Sequence, residues 1–277
     1  MTRISCPRFR LWIAVLAGVC WFAVIKEALA QQAAIELRQT AFIKASNTGA
    51  GDQFGNGGAY SGSSVALSAD GNTLVVGAPV EGSGAPGVNG DQGDESTYGA
   101  GAAYVLVRDG GVWRQQAYLK ASNPGLTDHF GSVIALSDDG NTLAVSAYFE
   151  ASAATGINGD ESDDSVPQAG AVYVFSRAGD EWVQQAYVKA SNTGEVARAD
   201  EITDGDQFGF SVAINGDGNV LAVSAITEDG GSSGIDGDES DNSAASAGAV
   251  YLFTRSLGQW SQESYIKPSN PGGGDLF

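Results

Sequence analysis

The chain has 277 residues, with 14 Lys and Arg against 33 Asp and Glu and a formal charge of −19. So acidic a chain is a poor partner for nucleic acid or an anionic membrane surface. One His and two Cys leave little for Ser-His-Asp or thiol catalysis, and 39 Gly point to short strands joined by turns rather than to helices.

In chain order, Arg3, Arg8 and Arg10 precede the apolar run from Leu11 to Ile25, which is followed by Ala28-Leu29-Ala30. That is the layout of a secretory signal peptide, residues 1–30, with cleavage expected after Ala30. The apolar run is shorter than the roughly 20 residues of a membrane-spanning helix, so no membrane insertion is expected once it is removed. A lipid anchor on Cys20 is disfavoured by the bulky Val19 before it. Cleavage would take both cysteines, Cys6 and Cys20, and move the formal charge to −22, because Arg3, Arg8, Arg10, Lys26 and Glu27 leave together. The expected location is secreted, periplasmic or cell-surface, with no disulfide to stabilise the mature chain.

Residues 31–277 are repetitive. Lys44-Ala45-Ser46-Asn47 returns at 120–123 and 189–192, and as Lys267-Pro268-Ser269-Asn270. A Phe follows the first, second and fourth Lys by 10 residues (Phe54, Phe130, Phe277) and the third by 19 (Phe208), the difference being an insertion at Glu195 to Thr203. Tyr104 to Trp113, Tyr173 to Trp182 and Tyr251 to Trp260 keep one spacing, as do Ala78 to Gly101, Ala147 to Gly170 and Ala225 to Gly248.

Each unit reads as four strands. In the second these are Ser132 to Leu136, Thr142 to Ser146, Gly170 to Phe175 and Trp182 to Lys189, with an Asp-Asp-Gly-Asn turn after the first and a long acidic loop after the second. The predicted fold class is therefore all-β, a β-propeller of four-stranded antiparallel blades. The units are an orphan strand at 35–45, blades at about 46–121, 122–190 and 191–268, and the start of a fourth at 269–277. Three blades fall short of the four to eight of a ring, so the ring is expected to be incomplete and the chain truncated. Association through exposed strand edges is the alternative.

Asp52-Gln53-Phe54-Gly55 followed by Leu74-Val75-Val76-Gly77-Ala78-Pro79 resembles the FG-GAP repeat of the integrin α-subunit propeller and its bacterial relatives. The likeness extends over about residues 35–277. FG is kept at Phe130-Gly131 and Phe208-Gly209, whereas GAP becomes Ser146-Ala147-Tyr148 and Ser224-Ala225-Ile226. The resemblance implies blades closing into a ring, calcium in loops on one side, and an adhesive role.

The three long loops superpose without gaps, and oxygen-bearing side chains recur at three places in each. These are Asn89, Asp91 and Asp94, then Asn158, Asp160 and Asp163, then Asp236, Asp238 and Asp241. Calcium takes six to eight oxygen ligands, and no His or Cys is offered to a softer metal. The spacing is N/D-x-D-x-x-D rather than the integrin D-x-D-x-D-G, and a solvated acidic turn is the competing reading. Glu81, Glu150 and Glu228, also at matching places, are candidate extra ligands. Trp113, Trp182 and Trp260 suit packing at the blade edge better than a carbohydrate platform.

Every candidate acid pair is repeated in each unit, whereas an active site breaks symmetry, so the chain is not expected to be an enzyme. The expected function is a calcium-stabilised adhesion or ligand-binding scaffold with an extracellular protein or glycan partner. The alternatives are a non-catalytic part of an exported hydrolase or lyase and a purely structural envelope protein.

Overall fold

A computed structural model of the chain describes residues 38–56, 62–196 and 204–277. Residues 1–30, expected to be a signal peptide, and residues 31–37, with the start of the expected orphan strand, lie outside the described residues. Residues 38–42 carry no strand, and residues 43–277 form one compact unit. Residues 43–45, expected to finish the orphan strand, carry no strand either.

The first sheet is β1 (Val65–Leu67), β2 (Thr73–Ala78), β3 (Ala102–Asp109) and β4 (Val112–Leu119). The second is β5 (Ile134–Leu136), β6 (Thr142–Ala147), β7 (Ala171–Ala178) and β8 (Glu181–Val188). The inserted segment forms a two-residue ribbon of β9 (Glu195–Val196) and β10 (Asp204–Gly205). The third sheet is β11 (Phe208–Ile214), β12 (Val220–Ala225), β13 (Ala249–Ser256) and β14 (Gln259–Ile266). Each four-stranded sheet is antiparallel and meandering, with strands in sequence order, and none closes into a barrel. The described residues contain no helix.

The sheets stack as blades. One apolar cluster joins Val75, Ala103, Val105 and Leu119 of the first to Phe130, Val145, Tyr173, Phe175 and Trp182 of the second. A second cluster joins Ala144, Val172, Val174 and Val188 to Phe208, Val223, Tyr251, Phe253 and Trp260. Each blade thus offers an aliphatic face to the aromatic face of the next. On the third blade the matching aliphatic positions, Val250, Leu252 and Ile266, are only half-buried.

Two local devices make the stacking close. Gly170, with φ 81° at the start of β7, lies under the Phe208 backbone. A Cβ there would stand 2.1 Å from the Phe208 carbonyl oxygen, and the same holds for Gly101 under Phe130, so only glycine admits the approach. The second device is a bulge in the β3–β4 pair and its equivalents. Val105 pairs with Ala117 and Leu106 with Gln115, which leaves Gln116 out of the ladder. Gln185 and Glu263 are skipped in the same way. A bulge re-aims the extra side chain, and here it turns Gln116 toward the second blade.

Candidate functional site

The long loops all leave from the end of the second strand in each sheet, the end at which the Phe-Gly turns enter the first. Their nine candidate oxygen ligands are held by hydrogen bonds, six within the loops and three to the fourth strand of the same sheet. Asn89, Asn158 and Asp236 sit at positive φ (56°, 56° and 54°). Each side-chain oxygen accepts from the backbone N–H of Tyr118, Tyr187 or Tyr265, at 2.9, 3.0 and 3.0 Å. Asp91 accepts from the N–H of Gly93 at 2.8 Å, Asp160 from that of Ser162 and Asp238 from that of Ser240, both at 3.0 Å. Asp94, Asp163 and Asp241 cap Ser96, Ser165 and Ser243 at 3.0, 3.0 and 3.1 Å. This is the Asx-turn habit of Asp two residues before Ser. Those bonds hold the carboxyls of Asp94, Asp160, Asp163 and Asp238 below the usual carboxylate range, the nearby serine hydroxyl being the largest cause in each.

The residue types suit calcium. Among the described residues no group of three or more His, Cys, Asp or Glu side chains could hold a metal ion.

Glu81, Glu150 and Glu228 have another role. Each is buried and paired with the Lys at the end of its own blade: Lys120 to Glu81 at 2.9 Å, Lys189 to Glu150 at 2.8 Å and Lys267 to Glu228. The Lys189 and Glu150 side chains are 0% and 1% exposed. The rest of the repeated Lys-Ala-Ser-Asn motif completes the constellation. Asn123 leaves the first blade and donates to Glu150 Oε1 (3.2 Å) and to the Glu161 carbonyl (2.8 Å) of the second blade's loop, while its own Oδ1 accepts the Tyr173 hydroxyl. Tyr187 adds its hydroxyl to Glu150 Oε1 at 2.8 Å. Asn192 repeats the pattern with Glu228, Glu239 and Tyr251, and Asn47 with Glu81, Gln92 and Tyr104. The motif is a buried latch: its Lys closes one blade and its Asn grips the next.

The tryptophans form the other seam. Trp182 donates its indole N–H to Gln116 Oε1 at 3.0 Å, Arg177 donates to the same oxygen at 3.1 Å, and the guanidinium carbon lies 5.3 Å from the Trp182 ring centroid. Trp260 and Arg255 do the same to Gln185. The tryptophans are packing residues, as their fixed spacing suggests, and the bulged glutamines are their acceptors.

Residues 113–175 match the FG-GAP repeat family. Over those residues the chain is similar to an FG-GAP repeat. That match runs from β4 of one blade through β7 of the next, so it takes in Asn123, Glu150 and Tyr173 of one latch but not its Lys189. No curated protein matches the chain.

Asp128 and Asp206, at the heads of the second and third Phe-Gly turns, make those two blade boundaries sensitive to pH. Asp128 and Asp206 accept from the N–H of Gly125 (2.7 Å) and Gly194 (3.0 Å) and are buried, Asp206 at 3% exposure. Burial, and next the neighbouring acids Glu150 and Asp164 or Glu228 and Asp229, push both pKa values up to about 7. In the unfolded chain they return to about 3.9. The folded state therefore holds extra protons between those values, and the stability they contribute is present at pH 4 and lost as the pH rises through 7. The melting temperature at fixed ionic strength is expected to fall from pH 5 to pH 8. Asp206→Asn, which keeps the cap on Gly194, should flatten that fall; an unchanged slope would remove Asp206 as a cause.

Proposed function

We propose that this chain is a non-enzymatic, exported, integrin-like propeller scaffold that binds an extracellular protein or glycan and is stabilised by calcium. The observation that carries the reading is the latch: one buried Glu-Lys-Asn-Tyr constellation recurs in every blade, so the loops stand on a rigid, polar-locked frame. Binding sites are disproportionately carried by loops on rigid scaffolds. The enzyme alternative lacks a comparable foundation, because the buried glutamates are committed to lysines and the loop aspartates cap turns. The adhesive element rests on the resemblance to integrin-like repeats. The direct test is binding of immobilised chain to a panel of extracellular proteins and glycans with calcium present. At least one saturable ligand is expected, and none would favour the structural envelope reading.

Calcium is the finer part of the proposal. In binding it, the carboxylates of Asp160 and Asp163 would share their oxygens between turn-capping hydrogen bonds and the ion, and the affinity is taken to lie in the weak, extracellular range. With a dissociation constant of about 0.1 mM, about 1 mM calcium stabilises the fold by roughly 1.4 kcal/mol per site. Melting curves in excess chelator should therefore lie below those in millimolar calcium, with magnesium replacing it only in part. Asp160→Ala with Asp163→Ala should remove one site's share and leave those at Asp91 and Asp238. Superimposed curves would reduce the loops to solvated turns.

A further inference from the structure

In each blade a lysine nitrogen and an asparagine amide nitrogen are held on the two oxygens of one glutamate. Lys189 Nζ is 2.8 Å from Glu150 Oε2, and Asn123 Nδ2 is 3.2 Å from Glu150 Oε1. Lys120 and Asn47 stand in the same way on Glu81, at 2.9 and 3.1 Å, and Lys267 and Asn192 on Glu228. An amine and a primary amide bridged by a carboxyl group are the two reactants and the proton carrier of an amide exchange.

The surrounding groups suit that reaction. The Asn123 carbonyl oxygen accepts the Tyr173 hydroxyl at 2.5 Å, and Asn47 and Asn192 accept Tyr104 and Tyr251 in the same way. A donor on that oxygen polarises the amide carbon and stabilises the negative charge that a nucleophile creates there. Burial pushes the Lys120 and Lys189 ammonium groups below the ordinary lysine range, which favours the neutral, nucleophilic amine. Tyr173, Tyr187, Lys189 and Glu150 are buried, so water is kept from competing. Asn123 is half-buried, which leaves an exit for a small leaving group.

A permanent link would also answer a need of the chain. Its two cysteines are Cys6 and Cys20, so no disulfide can join one blade to the next. Asn123 follows β4 of the first sheet and Lys189 follows β8 of the second, so a bond between them would tie two blades together.

We propose that Lys189 and Asn123 join through an intramolecular isopeptide bond, with Glu150 as the catalytic proton carrier. Lys120 joins Asn47 through Glu81, and Lys267 joins Asn192 through Glu228, by the same route. Lys189 first passes a proton to Glu150, which turns the ion pair into a neutral amine and a carboxylic acid. Nζ then attacks Asn123 Cγ, forming the Cγ–Nζ bond while the carbonyl electron pair moves onto Oδ1 beneath the Tyr173 hydroxyl. Glu150 delivers its proton to Nδ2 and takes one from Nζ. The carbonyl re-forms, the Cγ–Nδ2 bond breaks and ammonia leaves, with Glu150 left protonated and uncharged. No oxidant or further reactant is consumed. The ion pair is thus the state before the reaction, and the inference is independent of any ligand or of calcium.

Mass spectrometry of the full chain, purified folded and then denatured, is the test. Its mass should fall below that of the sequence from the observed N-terminus by one ammonia for each link formed. Trypsin should leave Lys189 uncut, because its amine has become an amide nitrogen, and should release a branched peptide joining 121–177 to 178–198. Glu150→Gln should keep the ammonia of the second blade and lose that branched peptide, with the other two links still formed. If that variant does not fold, Tyr173→Phe, which keeps the ring, should form the branched peptide about a hundredfold more slowly in freshly made protein. A parent of full sequence mass with Lys189 cut normally would overturn the proposal. So would a branched peptide that persists in Glu150→Gln, since the carboxyl would then not carry the proton. Ammonia lost without a branched peptide would overturn it too, because Asn89-Gly90 and Asn158-Gly159 lose ammonia by closing a ring on their own backbone.

Discussion

Lys189→Met is expected to destabilise the protein by about 3–5 kcal/mol, the cost of leaving one member of a buried ion pair without its partner. The Glu150 carboxylate would keep the Tyr187 hydroxyl and the Asn123 amide as donors but lose the positive charge of Lys189 at hydrogen-bond distance. Glu150→Gln should cost a similar amount for the opposite reason, since it strands the Lys189 ammonium. Burial already lowers the pKa of that ammonium. The double variant Glu150→Gln with Lys189→Met should recover most of the loss, because Gln can still accept from Tyr187 and Asn123 and no charge is left buried. Urea unfolding of the four proteins gives the coupling as a double-mutant cycle. Additive losses would mean that the pair does not act as a unit and that the latch is held by its neutral hydrogen bonds.

The parts of this fold that were legible in sequence are those set by local rules. Strand alternation, the Asp-Gly-Asn turns and the fixed Tyr-to-Trp spacing locate three four-stranded sheets, and the strand ends differ from expectation by a few residues where β7 and β8 run into their hairpin. The latch was visible as a repeated Lys-Ala-Ser-Asn but not as a function. Glu150 is 39 residues from Lys189 and 27 from Asn123, and in one dimension it lies beside an acidic loop, so it resembles a ligand. Gln116 was hidden for a different reason: along the sequence it continues the alternation of β4, and only the bulge takes it out of register. In the long loops the recurring oxygens were real, but a turn cap and a cation make the same demand on residue type. The D-x-S spacing of Asp160 to Ser162 and Asp163 to Ser165 was the available sign of the cap.

Replacing tryptophan by alanine should have a position-dependent cost. Trp182 is 4% exposed and Trp260 is 8% exposed. Each lies between an arginine of its own blade and the bulged glutamine of the blade before it, and each is packed in an interblade cluster. Trp182→Ala removes that packing, leaves a cavity and takes one donor from Gln116, for about 3–5 kcal/mol. Trp113 has the same strand position and the same stacked arginine, Arg108, 5.4 Å from its ring centroid. Its blade has no earlier four-stranded sheet among the described residues, and its ring is only half-buried. Trp113→Ala should therefore cost about 1 kcal/mol, the size of an exposed cation–π contact plus part of a side chain's burial. Chemical melts of the two variants measure the difference directly. If the tryptophans were a glycan platform instead, Trp182→Ala would leave stability near the parent value and abolish sugar binding. Equal large losses at Trp182 and Trp113 would show that the indole stabilises its own sheet, and the seam between blades would then rest on the latch alone.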